Sequence, residues 1–122
     1  MKISFVSPCY NEVDGLPDFY EAIIMLKKKM ARLKLDTEFI IVDDHSNDGT
    51  FESLKRNLPK LETARLIRNH QNLGVYRATY QGLRIVSGDI VVPMFPVDLQ
   101  DPPLVLHELI LKKLECKSAA VM

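Results

Sequence analysis

The sequence has no tryptophan, only two cysteines and five glycines, and no excess of either charge: sixteen Lys and Arg stand against sixteen Asp and Glu in 122 residues. Each shortage excludes something. Cys9 and Cys116 lie far apart and form neither a CxxC pair nor a disulfide framework, which fits a reducing compartment and excludes a cysteine-built metal cluster. Zero formal charge gives no general attraction to nucleic acid or to an anionic membrane, so binding has to be local. Nowhere do about eighteen apolar residues run together, and MKISFVSPCYNE has no small-residue cleavage site, so the chain reads as soluble and cytosolic. Repeats, linkers and low-complexity tracts are missing too. The length is that of one domain, spanning residues 1–122.

What is present is an alternation. Residues 2–7 (KISFVS) are a short β-rich run, and residues 15–35 follow with Leu16, Phe19, Ile23, Leu26, Met30 and Leu33 spaced three or four apart, as in an amphipathic helix. Pro17 suits the first turn of that helix, and Lys27, Lys28 and Lys29 suit its C-terminal half as a solvated face. Residues 37–44 (TEFIIVDD) form a second strand, and Asp48-Gly49-Thr50 opens a short helix that Pro59 stops. A third strand is expected over 63–69 and a fourth from Asp89. Between them a helical stripe through Val75, Ala78, Thr79, Gly82, Leu83 and Val86 closes at Ser87-Gly88. Pro93 argues for an edge or a bulge in the fourth strand. A last helix from Pro102 to about Lys117 and the start of a fifth strand at SAAVM complete the pattern. Strands alternating with helices imply an α/β fold with a mostly parallel sheet, helices on both faces and ligands at the carboxyl ends of the strands.

The first four strands end at SPCYNE, DDHSND, RNHQN and PVDLQD, so the unusual polar residues gather at one rim, whereas the connections entering strands two to four carry no comparable grouping. Local explanations exist for each. Asp43 or Asp44 can cap a turn, Asn11 and Asn69 can bond loop backbone, and Asp101 before Pro102 is a natural helix cap. For Asp44, Asp98 and Gln100 the functional reading is preferred, because separate caps have no reason to converge on one rim.

Such a rim suits nucleotide binding. A carboxylate accepts the imide or amide N–H of uracil or guanine, and Tyr10 offers a flat ring against a base. Asp98 and Gln100, two apart on an extended segment, are hard oxygen ligands for Mg2+ or Mn2+. A divalent ion there favours chemistry with a nucleoside diphosphate leaving group. His45, His70 and His107 stand at spacings that suit no metal, and only His45 lies at the rim. NLGVYRATYQG lacks both GxGxxG and GxxxxGK[ST], although its loop and helix start can face a phosphate, with Arg77 either as partner or as a solvated helix residue.

SPCYNE, IIVDDHSNDGT, RNHQNLGVYRATYQGL, SGDIVVPM and VDLQDPP, in this order and at these separations, resemble the donor-binding half of a family 2 glycosyltransferase of the GT-A fold, a Rossmann-like arrangement. The subgroup is similar to polyprenyl-phosphate sugar transferases such as dolichol-phosphate mannose synthase. The resemblance implies that Pro8, Tyr10, Glu12 and Asp44 hold the nucleoside, that Asp98 and Gln100 bind the metal and diphosphate, and that a UDP- or GDP-linked sugar is passed with inversion to a polyprenyl phosphate or glycan, at the cytoplasmic face of a membrane. Two departures stand out. The first acid of the DxD motif falls on Pro96, which has no ligand atom. The acceptor half, with its general base, is not in this chain.

Three other readings compete. A non-catalytic nucleotide or nucleotide-sugar binding module is favoured by Pro96. A phosphoacceptor receiver domain needs an acidic pair after the first strand, where SPCYNE stands instead. An assembly protein would form homodimers through an exposed sheet edge.

Overall fold

The computed structural model describes residues 1–61 and 64–93. Pro96, Asp98, Gln100, Asp101, the last expected helix and the expected fifth strand lie outside the described residues.

Four strands form one parallel sheet: β1 (Lys2–Cys9), β2 (Asp36–Asp43), β3 (Ala64–Arg68) and β4 (Ile90–Val92). Their order is β3-β2-β1-β4. The chain therefore steps outward from β1 through β2 to β3 and then returns to add β4 on the far side of β1. The order reverses between β1 and β4, where a crevice is expected at their carboxyl ends. β1 and β2 pair over their whole length, from Lys2 opposite Asp36 to Cys9 opposite Asp43. β2 is buried at every position after Asp36, because both its faces are covered.

Alternation along the strands feeds two cores. Ile3, Phe5, Phe39 and Ile41 point to the face covered by α1 (Leu16–Arg32) and α2 (Thr50–Asn57), where Phe19, Ile23, Leu26, Met30 and Leu54 meet them. The Phe5 and Phe39 rings stack there with centroids 4.8 Å apart. Val6, Ile40 and Val42 point to the opposite face, covered by α3 (Val75–Leu83) through Ala78. α3 comes very close at Gly82, where a Cβ would meet Val6 Cγ1 at 2.5 Å. A parallel sheet with helices on both faces is the fold class the strand and helix alternation implies.

Two expectations are corrected. The first helix stops at Arg32 rather than at residue 35, because the chain turns left-handed at Lys34 (φ 62). There the Leu35 amide donates to the Met30 carbonyl and the Lys34 amide to the Ala31 carbonyl, a Schellman closure with Leu35 and Met30 both in the core.

Polar grouping is also not confined to the carboxyl rim. At the amino edge, buried Glu38 accepts from the Ser4 hydroxyl and from both the amide and hydroxyl of Ser87, while the Gly88 amide donates to Ser4 Oγ at 2.9 Å. Lys2 Nζ donates to Ser87 Oγ at 2.7 Å. This network fastens the entry to β4 onto β1 and β2. Pro93 follows the last residue of β4, which is an edge strand of the described sheet.

Candidate functional site

Among the described residues the carboxyl-rim cleft lies at the β1 and β2 exits, under the start of α3, rather than between β1 and β4. A cleft of about 320 Å³ at the carboxyl rim is lined by Pro8, Cys9, Tyr10, Glu12, Asp44, Asn72, Gly74, Val75 and Ala78. Four of the residues named for nucleoside binding, Pro8, Tyr10, Glu12 and Asp44, thus come together from two strand ends. Tyr10 is 45% exposed and leaves a ring surface open. A larger hollow of about 420 Å³ lies on the outer side of α1, between Ile24, Met25 and Lys28. It is remote from the strand ends, and nothing converges on it but one helix face, so size does not make it the site.

Asp44 organises the cleft. Its carboxylate is buried and accepts three N–H donors: Asn69 Nδ2 at 2.8 Å and the Leu73 amide at 2.9 Å on Oδ1, and the Gly74 amide at 2.8 Å on Oδ2. A carboxylate has about four acceptor positions, so Oδ2 keeps one for a further donor. Gly74 has φ 94 and ψ 159, a conformation open at low cost only to glycine, and it sets the angle at which α3 begins. The β2 end, the 69–74 loop and the first turn of α3 are thereby one wall.

Its neighbour Asp43 points to the other face and has a different task. It accepts the Ser46 amide at 3.2 Å and the Ser46 hydroxyl, and Arg68 Nε stands 3.7 Å away. Arg68 in turn lies over the Phe51 ring at 4.4 Å and donates to the Ser46 carbonyl at 3.1 Å. Capping, the local explanation, is therefore right for Asp43. Burial, with the Asp43 carboxylate beside it, pushes the Cys9 thiol far above its ordinary value, so Cys9 lines the cleft as a neutral group and not as a nucleophile.

The rim loops hold each other. The Asn11 amide donates to Ser46 Oγ at 2.9 Å and Asn11 Oδ1 accepts the Asn47 amide at 2.9 Å, which joins the β1 and β2 exits. The Glu12 amide donates to Thr50 Oγ1 at 2.9 Å, and Asp48 accepts the Thr50 and Val13 amides. Burial alone would raise the Asp48 carboxyl, but these hydrogen bonds outweigh it and hold the group below its ordinary value.

Arg77 is exposed on α3 and is not among the residues lining the cleft. His45 is exposed as well, and its Nδ1 pairs with the Asn69 carbonyl at 3.2 Å. The metal residues Asp98 and Gln100 lie outside the described residues. Among the described residues no group of three or more His, Cys, Asp or Glu side chains converges to hold an ion. Asn72 and Gly74 were not singled out as cleft residues from the sequence, and Asn69, expected only to bond loop backbone, instead donates to Asp44 behind the cleft wall. The available signal for Asn72 and Gly74 was the NLG run just ahead of a helical stripe.

Comparison with known proteins gives a consistent set of likenesses. A family model described as Glycosyl transferase family 2 matches residues 4–121. The chain is 34% identical over 110 residues to a dolichol-phosphate mannosyltransferase of Pyrococcus furiosus, covering 90% of this chain and 29% of that one. It is 36% identical over 107 residues to an undecaprenyl-phosphate 4-deoxy-4-formamido-L-arabinose transferase of Yersinia enterocolitica, covering 84% and 30%. A solved mannosyltransferase of Pyrobaculum calidifontis, in complex with GDP-Man and Mn2+, superposes with a TM-score of 0.71 at 25% identity over 88% of this chain and 31% of that one. The chain spans about a third of the length of the curated relatives it matches.

Proposed function

The chain belongs to glycosyl transferase family 2, and from that premise we propose that its cleft binds the nucleoside diphosphate of a UDP- or GDP-linked sugar. In the whole protein the sugar then passes, with inversion, to a lipid-phosphate or glycan acceptor. The observation that carries this reading is the Asp44 carboxylate: buried, held by three donors, and keeping one acceptor position on Oδ2 beside the exposed Tyr10 ring. A base stacked on Tyr10 would present its imide or amide N–H to that oxygen. Pro8 and Glu12 complete the wall on the β1 side.

Asp98 and Gln100 are proposed to hold Mg2+ or Mn2+, since both offer the hard oxygen donors such ions take. β4 runs parallel to β1 and ends at Val92, level with Phe5, so the chain is heading for the cleft's rim when it reaches Pro93. Asp98 is five residues further on, a span of at most ~17 Å for an extended chain. The ion's contribution when bound is to neutralise charge on a departing diphosphate. Arg77, exposed in the first turn of α3 and outside the cleft lining, is a second anion partner if the diphosphate extends that far.

Thermal unfolding with UDP and with GDP, each with and without Mn2+, tests the reading. One nucleotide at about a hundredfold over its Kd should add ~2.7 kcal/mol of stability. Replacing Asp44 by Ala should remove the effect. No stabilisation by either nucleotide would overturn the proposal. Pro96 in place of the first motif acid favours a second reading, a nucleotide-binding module without transfer; transfer of labelled sugar to a lipid phosphate by the whole protein would dismiss it.

A further inference from the structure

Helix α3 turns to solvent a strip that packing does not account for. Tyr76 is 77% exposed and Tyr80 63%. At a spacing of four, Tyr76, Tyr80 and Arg84 fall in one row along the helix and its C-terminal turn, with exposed Arg77 beside them. The register of β3 turns Arg65 to the same side of the sheet, because it pairs with Ile40, whose side chain belongs to the α3 core. Residues 64–88 contain no Asp or Glu and four arginines; Arg68 turns to the other side of the sheet, towards Asp43 and Phe51, and Arg65, Arg77 and Arg84 remain to make this side cationic despite zero charge overall.

A tyrosine combines an apolar ring with a polar tip, which suits the headgroup zone of a bilayer better than bulk water. Arginine forks match phosphate oxygens. We propose that this α3 face rests on the surface of an anionic phospholipid bilayer. The first turn of α3 also supplies Val75 and Ala78 to the cleft, so the face continues from the cleft's own wall. Seating α3 on the bilayer sets the cleft mouth where a lipid-borne phosphate arrives; in purpose, though not in test, the inference rests on the acceptor reading above.

The outer side of α1 is the rival surface, with Lys28, Lys29 and Arg32 around Ile24. Those basic residues stand at the C-terminal end of α1, just before β2 begins, and so at the sheet edge opposite the cleft. Glu21 shares their hollow.

Co-sedimentation of the full chain with vesicles separates the two. Binding is expected to vesicles of phosphatidylcholine and phosphatidylglycerol, not to phosphatidylcholine alone, and to weaken with salt. Arg84→Gln should lower the partition roughly fivefold, and Tyr76→Ser with Tyr80→Ser should lower it further, while Lys28→Gln with Lys29→Gln leaves it unchanged. Arg77 is kept intact, so that UDP and GDP binding in solution is measured on the same variants as a separate test of the nucleotide reading. All the substituted positions are on the surface, and circular dichroism verifies folding. Unchanged partition in the α3 variants, loss in the α1 variant, or self-association abolished by the tyrosine changes and indifferent to vesicles would each overturn the proposal.

Discussion

The amide of Gly74 donates to Asp44 Oδ2 at 2.8 Å, binding the residue that follows β2 to the residue that precedes α3, thirty positions on. Asn69 and Leu73 donate to the other oxygen of the same carboxylate. One side chain therefore sets the position of a whole wall of the cleft, and sets it before any ligand arrives. A wall ordered in advance spares the ligand the cost of ordering it.

Asp44→Asn keeps the shape and removes this arrangement. The amide group it introduces has to face either the Gly74 amide or the Asn69 and Leu73 donors, leaving a buried donor unpaired. A hydrogen bond to a charged group contributes about 1.5–3 kcal/mol, so stability to urea should fall by about 2 kcal/mol. Affinity for UDP or GDP, measured by calorimetry, should fall at least tenfold. Lost stability with unchanged affinity would show that Asp44 only fastens the loop.

Gly82 governs how closely α3 can lie. A Cβ at this position would stand 2.5 Å from Val6 Cγ1 and 3.3 Å from Val42 Cγ2, both on stiff β-branched side chains in central strands. Gly82→Ala gains helix propensity of roughly 1 kcal/mol and meets overpacking of about 1–3 kcal/mol, so the net effect should be destabilising. Adding Val6→Ala should recover part of the loss. A stabilised single variant, read by denaturant midpoint, would mean that α3 simply shifts outward.

Much of this was legible in the chain itself. FIIVD in β2 reads as a strand buried on both faces, and parallel βαβ connections put all strand exits on one rim, which is why Pro8, Tyr10, Glu12 and Asp44 converge. Partners far apart in sequence were not legible. Glu38 looks like a stray charge at the start of an apolar run, and only the sheet brings Ser4 and Ser87, 34 and 49 positions away, to it. Lys34 gave no sign of its left-handed backbone, since nothing in RLKLD is a glycine or an asparagine. Arg77 could be placed on a helix by its spacing but not on a side of it, and it stands outside the cleft lining.

Lys34 is a position where the chain forgoes stability. It closes α1 at φ 62, a region that costs an L-residue about 1–2 kcal/mol and glycine little. Glycine loses more freedom on folding, which takes back about 0.5–1 kcal/mol. Lys34→Gly should therefore stabilise the chain by ~0.5–1 kcal/mol in chemical denaturation, while Lys34→Val, β-branched at positive φ, should destabilise it. The reverse order would indicate that the Lys34 side chain has a stabilising contact of its own.

Glu38 gives the amino edge a dependence on pH. Burial by itself would raise its carboxyl, but hydrogen bonds from Ser4 and from the Ser87 amide and hydroxyl, with Lys2 Nζ 3.9 Å away, outweigh burial and hold it below the ordinary value of 4.5. A group whose folded value is depressed contributes stability above its unfolded value and loses that contribution as pH falls through the folded one. The wild-type chain should therefore exceed a Glu38→Gln variant by a constant margin at neutral pH. That margin should begin to shrink near pH 4.5 and keep shrinking at lower pH as the carboxylate takes up its proton. Urea unfolding at stepped pH measures it, with hydrogen exchange at the Ser87 and Gly88 amides as a local readout, since both donate into this network. A margin that is flat across the acid range would mean that the glutamine amide takes over the same bonds and that the charge is not what fastens β4.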